Sequence, residues 1–193
     1  VGDDHRAAAR DALRSFLAAG GRVIDSSPMY GQSEERIGDM LAEIGPDARP
    51  FLATKIWTSG RASGASQLAD SHRLMRAKTL DLVQVHNLQD LDTQLATLRA
   101  AKEAGTVRYL GVTHYLASAH AELERVIRRE KPDFLQVNYS LAEPEAGARL
   151  LPVARELGLA VLVNRPFTTG GMIDRAAGPS PIIRSSWKSS IAG

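Results

Sequence analysis

The chain has 193 residues, of which 44% are hydrophobic and 24% charged, enough for one globular domain with a substantial core. The formal net charge is +2, and the densest basic group (Arg125, Arg128, Arg129) lies beside Glu122, Glu124 and Glu130, a solvated helix face that argues against nucleic-acid binding. Cysteine is absent, which excludes a disulfide framework and a thiol nucleophile, and no apolar run approaches the length of a membrane span.

The chain opens on a predicted amphipathic helix, with Ala9, Leu13, Phe16 and Leu17 on one face and Gly20-Gly21 as its stop. A strand-like run follows from Arg22 to Asp25. Ser33 is expected to cap the next helix, with Glu34 and Glu35 in its first turn, Ile37, Met40, Leu41 and Ile44 on its apolar side, and Gly45-Pro46 as its end. The run Phe51 to Lys55 is a second strand, and a weaker helical pattern extends from Gly64 to Lys78. Leu82 to His86 forms a third strand. Leu91, Leu95 and Leu98 make a helical stripe before Gly105, Leu123, Val126 and Ile127 another before Pro132, and Leu150, Ala154 and Leu157 the last before Gly158. Strand-like runs therefore begin near positions 22, 50, 80, 107, 134 and 160. They read as nearly continuous apolar runs, as for a parallel sheet covered on both faces.

Alternating β and α segments predict parallel strands with right-handed crossovers. No G-x-G-x-x-G follows the first strand, which weighs against an open dinucleotide-binding sheet. Candidate functional residues instead end successive strands: Asp25 with Tyr30 just behind it, Lys55, and His86. In a closed barrel those ends share one rim, where chemistry sits. Each residue alone has a plainer reading. Asp25 could cap a turn, Tyr30 pack a loop, Lys55 extend to water, and His86 be a structural histidine. Four reactive types on one rim in order favour a shared site. The five histidines show no spacing with carboxylates that would hold a metal, so no metal site is expected.

The stretch Val23-Ile24-Asp25-Ser26-Ser27-Pro28-Met29-Tyr30-Gly31 resembles the aldo-keto reductase family, which has Asp-x4-Tyr after its second strand, Lys ending the third and His ending the fourth. Gly111-Val112-Thr113-His114-Tyr115, Leu135-Gln136-Val137-Asn138-Tyr139 and Val163-Asn164-Arg165-Pro166-Phe167 look like its fifth, sixth and seventh strand segments. The resemblance covers about residues 3–172. It implies a (β/α)8 barrel, here incomplete with about six strands, the first strand lying upstream of Val1. Residues 1–172 are then the barrel-like domain and 173–193 an irregular tail.

The family implies NADPH as coenzyme, with NADH as the alternative, and a small-molecule aldehyde or ketone as substrate. Tyr30 would be the proton donor, its pKa lowered by Lys55, with Asp25 holding Lys55 and His86 hydrogen-bonding the substrate oxygen. Thr113 and Gln136 match positions that hold the nicotinamide carboxamide. His114 stands where the family has Asn, and Asn164 where it commonly stacks a Tyr on the nicotinamide. Arg165 could pair a phosphate, and Phe167, Thr168, Thr169 and Gly170 would form the pyrophosphate loop, or an ordinary Gly-rich one. Met29, Trp57 and Asn87 would line the substrate pocket. The basic site for the adenosine 2′-phosphate has no match. The alternative function is a catalytically weak nucleotide-binding barrel that senses redox state or serves interaction. A cytoplasmic location is expected, with any export signal upstream of Val1 out of view, no membrane association is expected, and open barrel edges would favour self-association.

Overall fold

The computed structural model of the chain describes residues 3–168. Six strands form one sheet: β1 (Val23–Asp25), β2 (Phe51–Ile56), β3 (Leu80–His86), β4 (Val107–His114), β5 (Phe134–Asn138) and β6 (Ala160–Asn164). All neighbouring pairs are parallel, in the spatial order β1-β2-β3-β4-β5-β6. Sequential order without reversal is the order of a (β/α) barrel wall and differs from a doubly wound sheet, whose strand order turns back at a switch point. The strands start within a residue or so of the expected positions.

Helices α1 (Asp3–Ala18), α2 (Ser33–Ile44), α3 (Arg61–Leu74), α4 (Leu91–Glu103), α5 (His120–Glu130) and α6 (Glu145–Leu157) alternate with the strands. The segment expected to be helical from Gly64 to Lys78 is helical from Arg61 and stops at Leu74. Ser33 is the first residue of α2 and does not cap it: Gln32 holds the cap position with no side-chain cap bond, while Ser33 Oγ accepts from Ser26 Oγ at 2.9 Å.

The sheet is strongly curled. Four strand steps at roughly 4.8 Å would set β1 and β5 about 19 Å apart in a flat sheet. Yet Gln136 Nε2 on β5 lies 2.9 Å from Asp25 Oδ2 on β1. Two side chains cannot span a flat sheet of that width, so the strands wrap around a shared interior.

That curvature divides the strand residues in two. The convex face carries Ile56, Val83, Val85, Val112, Leu135 and Val137, which pack with Leu95, Leu98, Leu123, Ile127 and Leu150 from the helices to form the main core. The concave face carries Lys55, Gln84, His86, Thr113, Gln136 and Asn138, all buried. The near-continuous apolar reading of the strands is thereby corrected: one face is apolar and the other largely polar, and short strands with Val and Leu between the polar positions disguise the alternation. The lower concave layer is aromatic, with Phe51, Tyr109 and Phe134 at ring-centroid distances of 5.6–6.1 Å.

Ion pairs lace the helices outside this wall. Arg6 and Arg10 of α1 reach Glu43 of α2, Arg128 of α5 and Arg149 of α6 converge on Glu124, and Arg99 of α4 pairs with Glu130 of α5. Among the described residues, no helix is long and apolar enough to cross a membrane.

Helices α2 and α3 touch at Gly38, where an added Cβ would lie 2.2 Å from the Leu74 carbonyl oxygen. Backbone cannot yield as a flexible side chain does. Gly38→Ala should therefore destabilise the chain by about 1–3 kcal/mol, a fall in Tm of roughly 3–10 °C. A thermal melt followed by circular dichroism checks this, and an unchanged Tm would mean that the helices separate freely.

Candidate active site

Parallel strands place their C-terminal ends on one rim, so β1, β2 and β3 deliver Asp25, Lys55 and His86 to the same side of the wall. Lys55 is 2% exposed. Its Nζ donates to Asp25 Oδ2 at 2.7 Å and to the Ser26 carbonyl oxygen at 2.7 Å. A buried ammonium is tolerable only with such partners, because removing one member strands the other charge away from water. Burial still pulls the Lys55 pKa below its ordinary value, with Asp25 and then Glu34 opposing.

Tyr30 follows a turn in which its N–H donates to the Ser27 carbonyl at 2.9 Å. The ring lies over the Lys55 ammonium, 5.4 Å from Nζ to centroid, and meets the His86 ring edge-on at 6.4 Å. Half of Tyr30 is exposed. Its pKa is raised above that of a free phenol, first by partial burial and then by the Asp25 charge, with Arg165 opposing. This corrects the expectation that Lys55 lowers it. The net shift is upward because partial burial and the Asp25 carboxylate both favour the neutral phenol.

His86 is buried, with Nδ1 3.4 Å from Ser27 Oγ and the Trp57 ring 6.3 Å away. Burial is the main cause that pushes its pKa down to about 4, with the Lys55 charge next. The imidazole is therefore neutral at neutral pH.

Thr113 and Gln136 stand side by side in register on β4 and β5, and Thr113 also pairs with His86 across β3 and β4. Gln136 is drawn into the Asp25 cluster: its Nε2 donates to Asp25 and its Oε1 accepts from Gln84 Nε2 at 2.9 Å. His114 stacks on Tyr115, and Arg165 covers the same tyrosine ring at 5.5 Å. Asn164 ends β6, and its carbonyl accepts from the Tyr139 N–H at 3.3 Å. Phe167 is exposed. Hydrogen bonds join Asp25, Lys55 and Gln136 directly, ring contacts bring Tyr30 and His86 to them, and Asn164, Arg165 and Phe167 lie at or just after the end of β6, with the Arg165 charge close enough to act on Tyr30. Thr169 and Gly170 of the expected pyrophosphate loop, and the tail 173–193, lie outside the described residues.

Three residues around the site, two on the concave face and one just after β1, escaped sequence reasoning. Gln84 bridges to Gln136, Ser27 contacts His86, and Asn138 donates to the Tyr115 carbonyl at 2.9 Å and to Glu143 at 3.1 Å. The available signal was period two: Gln84 precedes His86 by two residues, and Asn138 follows Gln136 by two. A buried acceptor, Asn138 Oδ1, has no partner among the described residues. Beside buried Thr113 and Gln136, this set suits an amide ligand that both donates and accepts, the chemistry of a nicotinamide carboxamide. Among the described residues, no group of His, Asp or Glu is arranged to hold a metal ion.

The fold and this rim together define a (β/α)-barrel wall with a Tyr-Lys-Asp-His cluster at its strand ends. The model of the aldo/keto reductase family matches residues 3–191, and the chain belongs to that family. It is 27% identical over 184 residues to the aldo-keto reductase YhdN of Bacillus subtilis (strain 168), an alignment covering 85% of this chain and 54% of the relative. It is 29% identical over 182 residues to the aldo-keto reductase str7 of Strobilurus tenacellus, covering 87% and 52%. The solved glycerol dehydrogenase of Gluconobacter oxydans superposes with a TM-score of 0.71 at 26% identity, over 84% of this chain and 54% of that one. The chain thus spans about half the length of the curated relatives it matches.

The low pKa of His86 has a consequence for stability. An unfolded His titrates near 6.5 and the folded one at about 4, so between these values the unfolded chain binds more protons. Stability contributed by the neutral imidazole is present above about pH 6.5 and is lost as pH falls toward 4. Urea melts from pH 7 to 4 should show His86→Gln losing less stability on acidification than the unsubstituted chain. Parallel curves would show that His86 titrates normally.

Proposed function

We propose that the chain carries the reaction centre of an NADPH-dependent carbonyl reductase acting on small aldehydes or ketones, with NADH as the alternative coenzyme. The observation that carries this reading is the geometry of Tyr30: an exposed phenol, held against a buried ammonium and edge-on to a neutral imidazole. The coenzyme, when bound, supplies hydride to the carbonyl carbon. Thr113, Gln136 and Asn138 would hold its carboxamide, with His114, Asn164, Arg165, Phe167 and Gly170 as the further coenzyme-binding residues.

The chain's own residues handle the developing charge on oxygen. His86 is neutral and can donate a hydrogen bond to the carbonyl oxygen without giving up a full charge. Tyr30 is protonated at neutral pH, as a phenol whose pKa stands above its ordinary value must be, and this is the state required of a general acid. As negative charge grows on the substrate oxygen, Tyr30 transfers its proton to that oxygen and becomes phenolate. Lys55, already against the ring, then stabilises the product side of that transfer. Asp25 keeps the ammonium charged in its buried setting.

The test is oxidation of NADPH by the full chain with a nitrobenzaldehyde. Tyr30→Phe keeps the ring over Lys55 and removes the proton. Turnover should fall by about 100-fold or more, while NADPH binding, measured by quenching of tryptophan fluorescence, stays within a factor of about two. Turnover by Tyr30→Phe at the unsubstituted rate would remove the general acid from this scheme.

A further inference from the structure

We infer that Gln84 is a positioning residue: by donating to Gln136 Oε1 it fixes the orientation of that amide and, through it, the Asp25 carboxylate that pairs with Lys55. This rests on the proposed carbonyl reductase reading for its kinetic consequence, and on the geometry alone for the positioning itself.

A carboxylate only accepts hydrogen bonds, whereas an amide donates at one end and accepts at the other. The end of Gln136 that faces Asp25 must therefore be its nitrogen, and Nε2 lies 2.9 Å from Asp25 Oδ2. The Gln136 oxygen is then turned to Gln84, which must present its own nitrogen, and Gln84 Nε2 lies 2.9 Å from it. The same nitrogen is 3.5 Å from Asp25 Oδ1, so a weak second link closes a triangle on the carboxylate. The negative charge sets the direction of both amides, and Gln84 is the last member of the chain.

The far end of Gln84 exposes what this arrangement costs. Its Oε1 is buried without a partner among the described residues. Gln84 is fully buried, and two residues earlier on the same face Leu82 fills the interior with hydrocarbon. An aliphatic side chain at 84 would avoid the unpaired acceptor. The adjacent strand also makes room for this amide: Gly111 is the register partner of Gln84, and a Cβ there would lie 2.8 Å from Gln84 Cγ. Packing alone does not call for glutamine, while the hydrogen bond to Gln136 does.

Gln84 touches neither Tyr30 nor a reacting atom, so its effect passes through Asp25. The charged and titratable groups around it are Asp25 on β1, Lys55 on β2, His86 further along β3, and Tyr30 over Lys55; the β4 residues beside it, Gly111 and Thr113, carry no charge. A carboxylate free to rotate would pull Lys55 from under the Tyr30 ring, and misplacement on the scale of 1 Å can cost about 100-fold in rate.

The experiment compares the unsubstituted full chain with Gln84→Met, Gln84→Glu and Gly111→Ala. The first readout needs no coenzyme. Hydrogen exchange of the Gln136 side-chain NH2 protons, followed by NMR and assigned with Gln136→Met, should be slow in the unsubstituted chain and about tenfold faster or more in Gln84→Met. The second is turnover with NADPH and nitrobenzaldehyde. Gln84→Met should lose about tenfold or more in kcat at every pH, with NADPH binding within a factor of about two. Gln84→Glu should match that loss at high pH and regain turnover on acidification, because only the protonated carboxyl can donate to Gln136. Gly111→Ala displaces Gln84 without removing its amide and should give the exchange phenotype of Gln84→Met, which covers the case in which Gln84→Met folds poorly. Unchanged Gln136 exchange in both Gln84→Met and Gly111→Ala overturns the inference, as does a Gln84→Glu pH profile parallel to that of Gln84→Met. No turnover in the unsubstituted chain would end the reductase reading, and the exchange arm would still decide whether Gln84 holds Gln136.

Discussion

The Asp25 carboxylate is the point on which the interior closes. It receives the Lys55 ammonium from β2, the Gln136 amide from β5 and, more weakly, the Gln84 amide from β3. Strands that are not neighbours in the sheet are joined through one anion. The arrangement answers the electrostatic problem that a buried charge poses. The ammonium alone would be intolerable at this depth, and Asp25 alone would be a poorly compensated carboxylate. Paired, and with neutral amide donors completing the hydrogen bonds, they add no net charge to the barrel interior. The site is therefore held by polar side chains at its centre and by hydrocarbon at its back.

Tyr30 and His86 draw their protonation states from the same setting. Both are shifted mainly by partial removal from water. The phenol moves up and the imidazole down, so both are neutral at neutral pH. One neutral group can transfer a proton and the other can donate a hydrogen bond.

Much of this was readable from the order of residues. The βα spacing located all six strands, and strand ends located Asp25, Lys55 and His86 on one rim. What could not be read depends on curvature. Gln136 and Asp25 are 111 positions apart in the chain, and nothing local says that their side chains meet. Gln84 sits between Val83 and Val85, so the run looks apolar unless the two faces are separated beforehand. The sign of the Tyr30 shift is not legible in the sequence because it is set first by partial burial and next by the Asp25 carboxylate, and both depend on how the turn after β1 lies against the sheet. Ser33 looks like a cap by type, but the turn after Tyr30 carries the chain into the helix one residue earlier and leaves the hydroxyl to Ser26.

The ion pairs that lace the helices stand in a different dielectric regime from the pair inside. Arg6, Arg99, Arg128 and Arg149 are all substantially exposed, whereas Lys55 is sealed. Mobile counterions reach the first group and not the second, since screening acts over about 10 Å of solvent at 0.1 M and barely penetrates a packed interior. Concentrated brine would therefore slacken the outer sleeve of helices while the inner clasp kept its grip. The molecule carries two electrostatic compartments, and ionic strength addresses one of them alone.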